Sequence, residues 1–135
     1  MNPEEVKQLI LELFSGKFTK EYTEKDVNRI LSQENVFPFL YYRDGKLVAM
    51  TMLYVVELFS RKFGVIEEVV TFSAYRNKGL GSSLVKKAIN KAEKLGCDCV
   101  ELNVREDKPE VQKFYEGLGF VDRKNKAMRL QLKKL

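Results

Sequence analysis

The chain has 135 residues, 44% hydrophobic and 32% charged, which fits a single globular domain over 1–135 and excludes a disordered chain or a second core of ordinary size. Its 24 Lys and Arg against 19 Asp and Glu give a net charge of +5, which favours anionic ligands without choosing among them. There is no histidine, so Ser-His-Asp and Cys-His nucleophile schemes and His-containing zinc sites are excluded.

The opening MNPEEVKQLI lacks the basic-then-apolar layout of a secretory signal, and no apolar run reaches the ~20 residues of a membrane span. A cytoplasmic protein with no membrane partner is expected. Asn2 can cap a helix in which Pro3 takes the first position, Glu4 and Glu5 meet the positive end of the dipole, and Val6, Leu9, Ile10 and Leu13 form one apolar stripe. After a loop from Gly16 to Tyr22, Thr23 and Asp26 form a capping-box-like start to a shorter helix that turns Val27, Ile30 and Leu31 inward.

Aromatic and β-branched residues on both sides of Asp44-Gly45 predict a β-hairpin, and VIEEVVTF, Val65 to Phe72, predicts a central strand after a break at SRKFG. A helix is expected from Ser82 to the stop at Gly96, then a strand from Asp98 to Val104 parallel to the Val65 strand, through a right-handed crossover. Strand alternation places Cys97 and Cys99 on one face, too close along one strand for an ordinary disulfide. A further helix from Pro109 carries Val111, Phe114, Tyr115 and Leu118 and ends at Gly117 and Gly119, and the tail reads as an antiparallel pair around Lys124-Asn125.

The stretch YRNKGLGSSLVKKA, Tyr75 to Ala88, joins the central strand to its helix through two glycines. Such a turn leaves several N–H groups unpaired and aimed with the positive end of the helix dipole, so a di- or triphosphate fits there. Gly79 and Gly81 permit positive φ and close approach, and Arg76 and Lys78 add mobile positive charge at the rim. The third glycine of a Rossmann fingerprint and the Gly-Lys-Ser/Thr end of a Walker loop are both missing. The alternative is an ordinary turn with surface charges.

RNKGLG, Arg76 to Gly81, with the strand before it, the helix after it, the strand CVELNVRE and the later FYEGLGF, resembles the GNAT superfamily of acetyl-CoA-dependent N-acetyltransferases. The resemblance implies an α/β (α+β) fold of three layers, a mixed central sheet with helices on both faces, here without the family's usual amino-terminal strand. It also implies acetyl-CoA as acetyl donor, held by Val69, Val70, Thr71, Arg76, Asn77, Lys78, Gly79, Leu80, Gly81, Ser82 and Lys108. Three positions depart from the family pattern: Ser73 and Asn77 replace a frequent proline and glycine, and Lys108 replaces an asparagine that contacts the cofactor. Substrate walls near the trimmed end are expected from elsewhere, including a second subunit of a homodimer.

The implied reaction moves acetyl directly to an amine in a ternary complex, with no acyl-cysteine. A primary amine of pKa ~10 is about one part in a thousand neutral at pH 7, so a carboxylate base helps, and with no histidine Glu67 and Glu68 are the first candidates. Adjacent on a strand, the two should leave opposite faces, with Glu67 the favourite by resemblance. Both could instead be solvated or ion-paired. A backbone N–H near Val70 would polarise the thioester carbonyl. Tyr115 is the expected proton donor to the leaving thiolate by resemblance, against the alternative that it is simply core. The acceptor is an amine-bearing small molecule or peptide. A coenzyme A-binding regulatory module that has lost turnover is the alternative. Nucleic-acid binding is disfavoured because the Lys and Arg are interspersed with acidic residues.

Overall fold

The computed structural model describes residues 2–17 and 21–133. The chain divides into two compact units, Met1–Leu102 and Asn103–Leu135. The first holds α1 (Pro3–Leu13), α2 (Glu24–Leu31), β1 (Val36–Arg43), β2 (Lys46–Glu57), β3 (Lys62–Thr71), α3 (Leu80–Lys94) and β4 (Cys99–Glu101); the second holds α4 (Pro109–Gly117).

Both first helices start as their sequences dictate. Asn2 Oδ1 accepts from the Glu4 N–H at 2.9 Å ahead of Pro3, and Thr23 and Asp26 close a reciprocal capping box on α2. Glu5 also accepts from the Leu47 N–H at 2.7 Å, which ties α1 to the start of β2. The loop expected over Gly16 to Tyr22 lies partly outside the described residues.

The sheet order is β1-β2-β3-β4, antiparallel except for the parallel pair β3-β4, so the sheet is mixed. Asp44 and Gly45, at φ 52° and 76°, form the two-residue turn between Arg43 and Lys46. Leu9 and Ile10 of α1 pack with Met50, Met52 and Val70, with Leu31 of α2 against the same cluster. Each of these fully buried aliphatic side chains contributes roughly 1.5–3 kcal/mol. On the other face α3 buries Leu84, Val85, Ala88 and Ala92, so the sheet has helices on both sides.

The bounds of two strands differ from the sequence reading, and α3 begins at Leu80, two residues before the expected Ser82. β3 begins at Lys62, because the break at SRKFG is only a tight turn closed by the Leu58 N–H on the Arg61 carbonyl at 2.7 Å. Gly64 is therefore inside the strand. A Cβ there would lie 2.8 Å from Leu53 Cδ1 and 3.3 Å from Ala92 Cβ, so glycine is what lets α3 approach the sheet. β4 is only Cys99–Glu101, since its ladder with β3 stops there.

The antiparallel pair expected around Lys124-Asn125 does not form among the described residues: no strand follows Glu101 up to residue 133. A local turn is present, with Asp122 Oδ1 accepting from the Lys124 N–H at 2.8 Å and Lys124 at φ 60°. Its flanks bury nothing, since Val121, Met128 and Leu132 are 82%, 90% and 87% exposed, and a lone two-stranded ribbon without a packed face is marginal.

Candidate active site

One irregularity in β3 organises the first unit's site. Met52 pairs with Glu67 and Met50 with Val70, so one extra residue stands in β3 opposite Thr51, a β-bulge that puts Glu68 at φ 54°. The Phe72 N–H donates to the Val48 carbonyl at 3.0 Å. By two-residue alternation Val70 also bonds to β2, and Val69 and Thr71 turn their main-chain groups to the opposite edge. That edge is open: β4 pairs only with Phe63, Gly64 and Val65, so Ile66 to Thr71 has no parallel partner among the described residues. The Val70 N–H, near which a donor is expected, is thus turned to the ladder, and the nearest main-chain N–H on the open edge is that of Val69.

The chain leaves β3 through a short 3₁₀ turn, Ser73–Tyr75, and enters α3 at Gly79, the N-cap, at φ 78°. Among the described residues no acceptor pairs with the main-chain N–H groups of Asn77, Gly79, Leu80, Gly81 and Ser82, while the Lys78 N–H closes the turn over Arg76 and Asn77; the first bonded amide of the helix is that of Ser83, to the Gly79 carbonyl at 2.9 Å. Five unpaired donors thus lie at and just before the positive end of a 15-residue helix.

Two expectations about this turn change. Positive φ is used at Asn77 and Gly79 and not at Gly81, where an added Cβ would meet only Thr71 Oγ1, at 4.0 Å. Arg76 is not a mobile rim charge. Its Nε donates to the Thr71 carbonyl at 2.9 Å and its Nη2 to Glu12 Oε1 at 3.1 Å, and the same Glu12 oxygen accepts from the Ser73 N–H at 3.0 Å. Arg76 therefore anchors the turn to α1. Lys78 keeps its ammonium 5.7 Å from the Tyr75 ring centre.

On the α1–α2 side of the sheet lies a cavity of about 210 Å³, walled by α1, α2 and β2 and reached by Glu68. The Tyr54 hydroxyl donates to Glu68 Oε1 at 3.4 Å. Burial first, then the Glu68 charge and hydrogen bond, push the Tyr54 hydroxyl up to about 12. Tyr22 is also raised, by burial and then by the charges of Glu68 and Asp26.

The expectation that Glu67 and Glu68 leave opposite faces fails, because the bulge interrupts the alternation. Glu67 stands opposite Met52, which lines the cavity, and its charge contributes to raising Tyr54. Glu68 lines the cavity while Glu67 is exposed. Sequence reasoning missed Tyr22, Tyr54, Met50 and Met52; the period-two run Met50, Met52, Tyr54 in β2 was the available signal.

In the second unit, Lys108 is the N-cap residue of α4, its carbonyl accepting from the Val111 and Gln112 N–H groups at 3.0 and 3.3 Å. Tyr115 is buried, edge-on to Phe114 and Phe120 at centroid distances of 4.9 and 5.6 Å. Neither Cys97 nor Cys99 is in a disulfide, and the Cys99 thiol donates to Glu101 Oε2 at 3.6 Å. Among the described residues there is no cluster of three or more His, Cys, Asp or Glu suited to a metal, and no helix long and apolar enough to cross a membrane.

Residues 5–120 match the acetyltransferase (GNAT) family. The chain is 31% identical over 136 residues to glucosamine 6-phosphate N-acetyltransferase 1 of Dictyostelium discoideum, covering 93% of this chain and 81% of that protein. It is 43% identical over 58 residues to N-alpha-acetyltransferase 30 of Xenopus laevis, covering 43% of this chain and 21% of that one. Among solved structures, a putative acetyltransferase from Agrobacterium tumefaciens str. C58 superposes with a TM-score of 0.80 at 29% identity, over 97% of this chain and 96% of that one.

Proposed function

The chain belongs to the GNAT acetyltransferase family, and on that footing we propose that it transfers acetyl from acetyl-CoA to a primary amine of a small molecule or peptide, in a ternary complex, as one domain over 1–135 in the cytoplasm. The observation that carries the reading is the set of five unpaired amides, Asn77 and Gly79 to Ser82, at the head of α3. They fit a pyrophosphate, which needs convergent donors and a positive dipole end and no particular side chain. The open edge of β3, with the main-chain groups of Val69 and the Thr71 N–H, fits an extended amide-bearing arm by strand-like hydrogen bonding, the Thr71 carbonyl being taken by Arg76.

Bound acetyl-CoA supplies the activated thioester; the chain's own groups do the rest. The Val69 N–H is the donor for the carbonyl oxygen as negative charge grows on it. Glu68, at the cavity, takes the proton that the acceptor ammonium must lose, directly or through one water. Tyr54 stays protonated at neutral pH and fixes the Glu68 carboxylate by donating to it. Glu67 adds negative charge on the solvent side of the same face and attracts a cationic acceptor. Tyr115 is assigned as the donor to the leaving thiolate on the resemblance of its Phe114-Tyr115 pair. The relatives' names support an amine acceptor, one a sugar phosphate and the other a protein amino terminus.

The test is thiol release from acetyl-CoA over a broad panel of amines, with calorimetry of coenzyme A binding alongside. Turnover with at least one amine is expected. Coenzyme A binding with no turnover on the whole panel would replace the enzyme with a binding module, and no binding at all would remove the cradle.

A further inference from the structure

The cavity beside Glu68 has a lining that acetyl transfer itself does not require. Its walls are Val6 from α1, Val27, Ile30 and Leu31 from α2, and Met50 and Met52 from β2. The polar groups among the described lining residues are Tyr22, Gln33, Tyr54 and Glu68. None of them is Lys or Arg, and Glu68 is the one charged group.

We propose that this cavity takes the body of the acceptor, and that the acceptor is a primary amine joined to an uncharged apolar group about as large as a leucine or phenyl side chain, not a phosphorylated sugar. The proposal rests on the reading of Glu68 as the residue that meets the amine. The size follows from the volume: a cavity of about 150 Å³ lined by aliphatic and aromatic side chains holds benzene, and this one measures about 210 Å³.

The chemistry follows from the walls. An ammonium group lies against Glu68 while its apolar tail covers Met50, Met52 and the inner face of α2, so charge and burial both favour the same orientation. A phosphate meets the reverse. It would enter beside a carboxylate and two phenols held in their neutral form, with no guanidinium or ammonium among the described lining residues to carry its charge. A sugar would find partners in Tyr22, Gln33, Tyr54 and Glu68 alone, and every hydroxyl turned instead to Met50, Met52 or the aliphatic side chains of α2 would be an unmade hydrogen bond.

Straight-chain primary amines share one ammonium acidity and differ only in length, so they isolate the cavity from the chemistry. The experiment measures kcat/KM for thiol release with ethylamine through hexylamine, with glucosamine and glucosamine 6-phosphate, and with a short peptide beginning in leucine. About a fourfold rise per methylene is expected until the cavity is full, the equivalent of ~0.8 kcal/mol each, with both sugars below hexylamine. The Ile30→Gln variant should flatten the rise. The peptide arm tells whether the apolar amine is a free molecule or a chain terminus: the better of hexylamine and peptide identifies the source. A flat series, or glucosamine 6-phosphate exceeding hexylamine, overturns the proposal while leaving acetyl transfer intact. Silence from every amine would sink the enzymatic reading instead.

Discussion

The Tyr54 hydroxyl reaches Glu68 Oε1 at 3.4 Å across the strand pair that carries the bulge. Because the phenol is raised to about 12, its protonated form is what the fold favours. That stabilisation is fully present below the unfolded value near ~10 and is lost as pH rises through about 12. Ultraviolet titration of tyrosinate should therefore show a phenol titrating at about 12, beyond the raised Tyr22 and Tyr42, and that last step should be absent in Tyr54→Phe. Glu68→Gln should bring it down only part of the way, since burial is the larger cause. An unchanged late titration in Glu68→Gln would show that the carboxylate is not beside it.

The two glutamates should separate kinetically. Glu68 lines the cavity and Glu67 is exposed, so Glu68→Gln should lower kcat by about 10²–10⁴, and Glu67→Gln by less than about tenfold with its loss mainly in KM for cationic acceptors. Coenzyme A affinity, measured by calorimetry, should be unchanged in both. Equal kcat losses would assign the base role to the pair and not to Glu68.

The two glycines of the turn do different work. Gly79 sits at φ 78° with open space around it, so Gly79→Ala should cost about 1–2 kcal/mol of stability through backbone strain alone, and Gly79→Asn should cost less. Gly81 has no such strain, and Gly81→Ala should leave the denaturant midpoint within about 0.5 kcal/mol of the parent while weakening coenzyme A binding under the proposed reading, because the added methyl stands among the unpaired amides of the turn, with only Thr71 Oγ1 near it, at 4.0 Å. A Gly81→Ala protein that binds coenzyme A as before would remove that glycine from the cradle.

Gly64→Ala should destabilise by about 1–3 kcal/mol, since its methyl would press on Leu53 and Ala92. Shortening the neighbour in Gly64→Ala/Leu53→Val should recover part of that loss, which a urea-denaturation double-mutant cycle reads directly. Strict additivity would mean that the close approach of α3 is relieved elsewhere.

Much of this architecture is legible in the chain because its signals are local. The Asn2 cap, the Thr23–Asp26 box and the Asp44-Gly45 turn each depend on a few adjacent residues, and each forms. The turn before α3 is legible for the same reason. What escapes depends on partners distant in sequence. Nothing near Glu68 announces a bulge, because a bulge is a mismatch of count between two strands. Arg76 reads as a free charge because its partner, Glu12, is 64 residues away. Gly64 reads as a breaker because the helix it admits comes later in the chain. The tail reads as a ribbon from its alternation, a pattern that sets which residues would share a face and leaves open whether any surface is there to receive them.

The extra residue in β3 has a consequence for parity. Up to Ile66 the even-numbered residues offer their amides toward β4, as the Lys62 carbonyl does in accepting from the Asp98 N–H at 2.7 Å; past the bulge that task passes to odd-numbered ones. Excising a single residue there would restore an uninterrupted ladder and, in the same stroke, exchange inside for outside along the strand's last turn of pleat. Under the proposed reading, in which the strand meets one ligand by its edge and another by its face, that pairing is a matter of arithmetic that no side-chain substitution could reproduce.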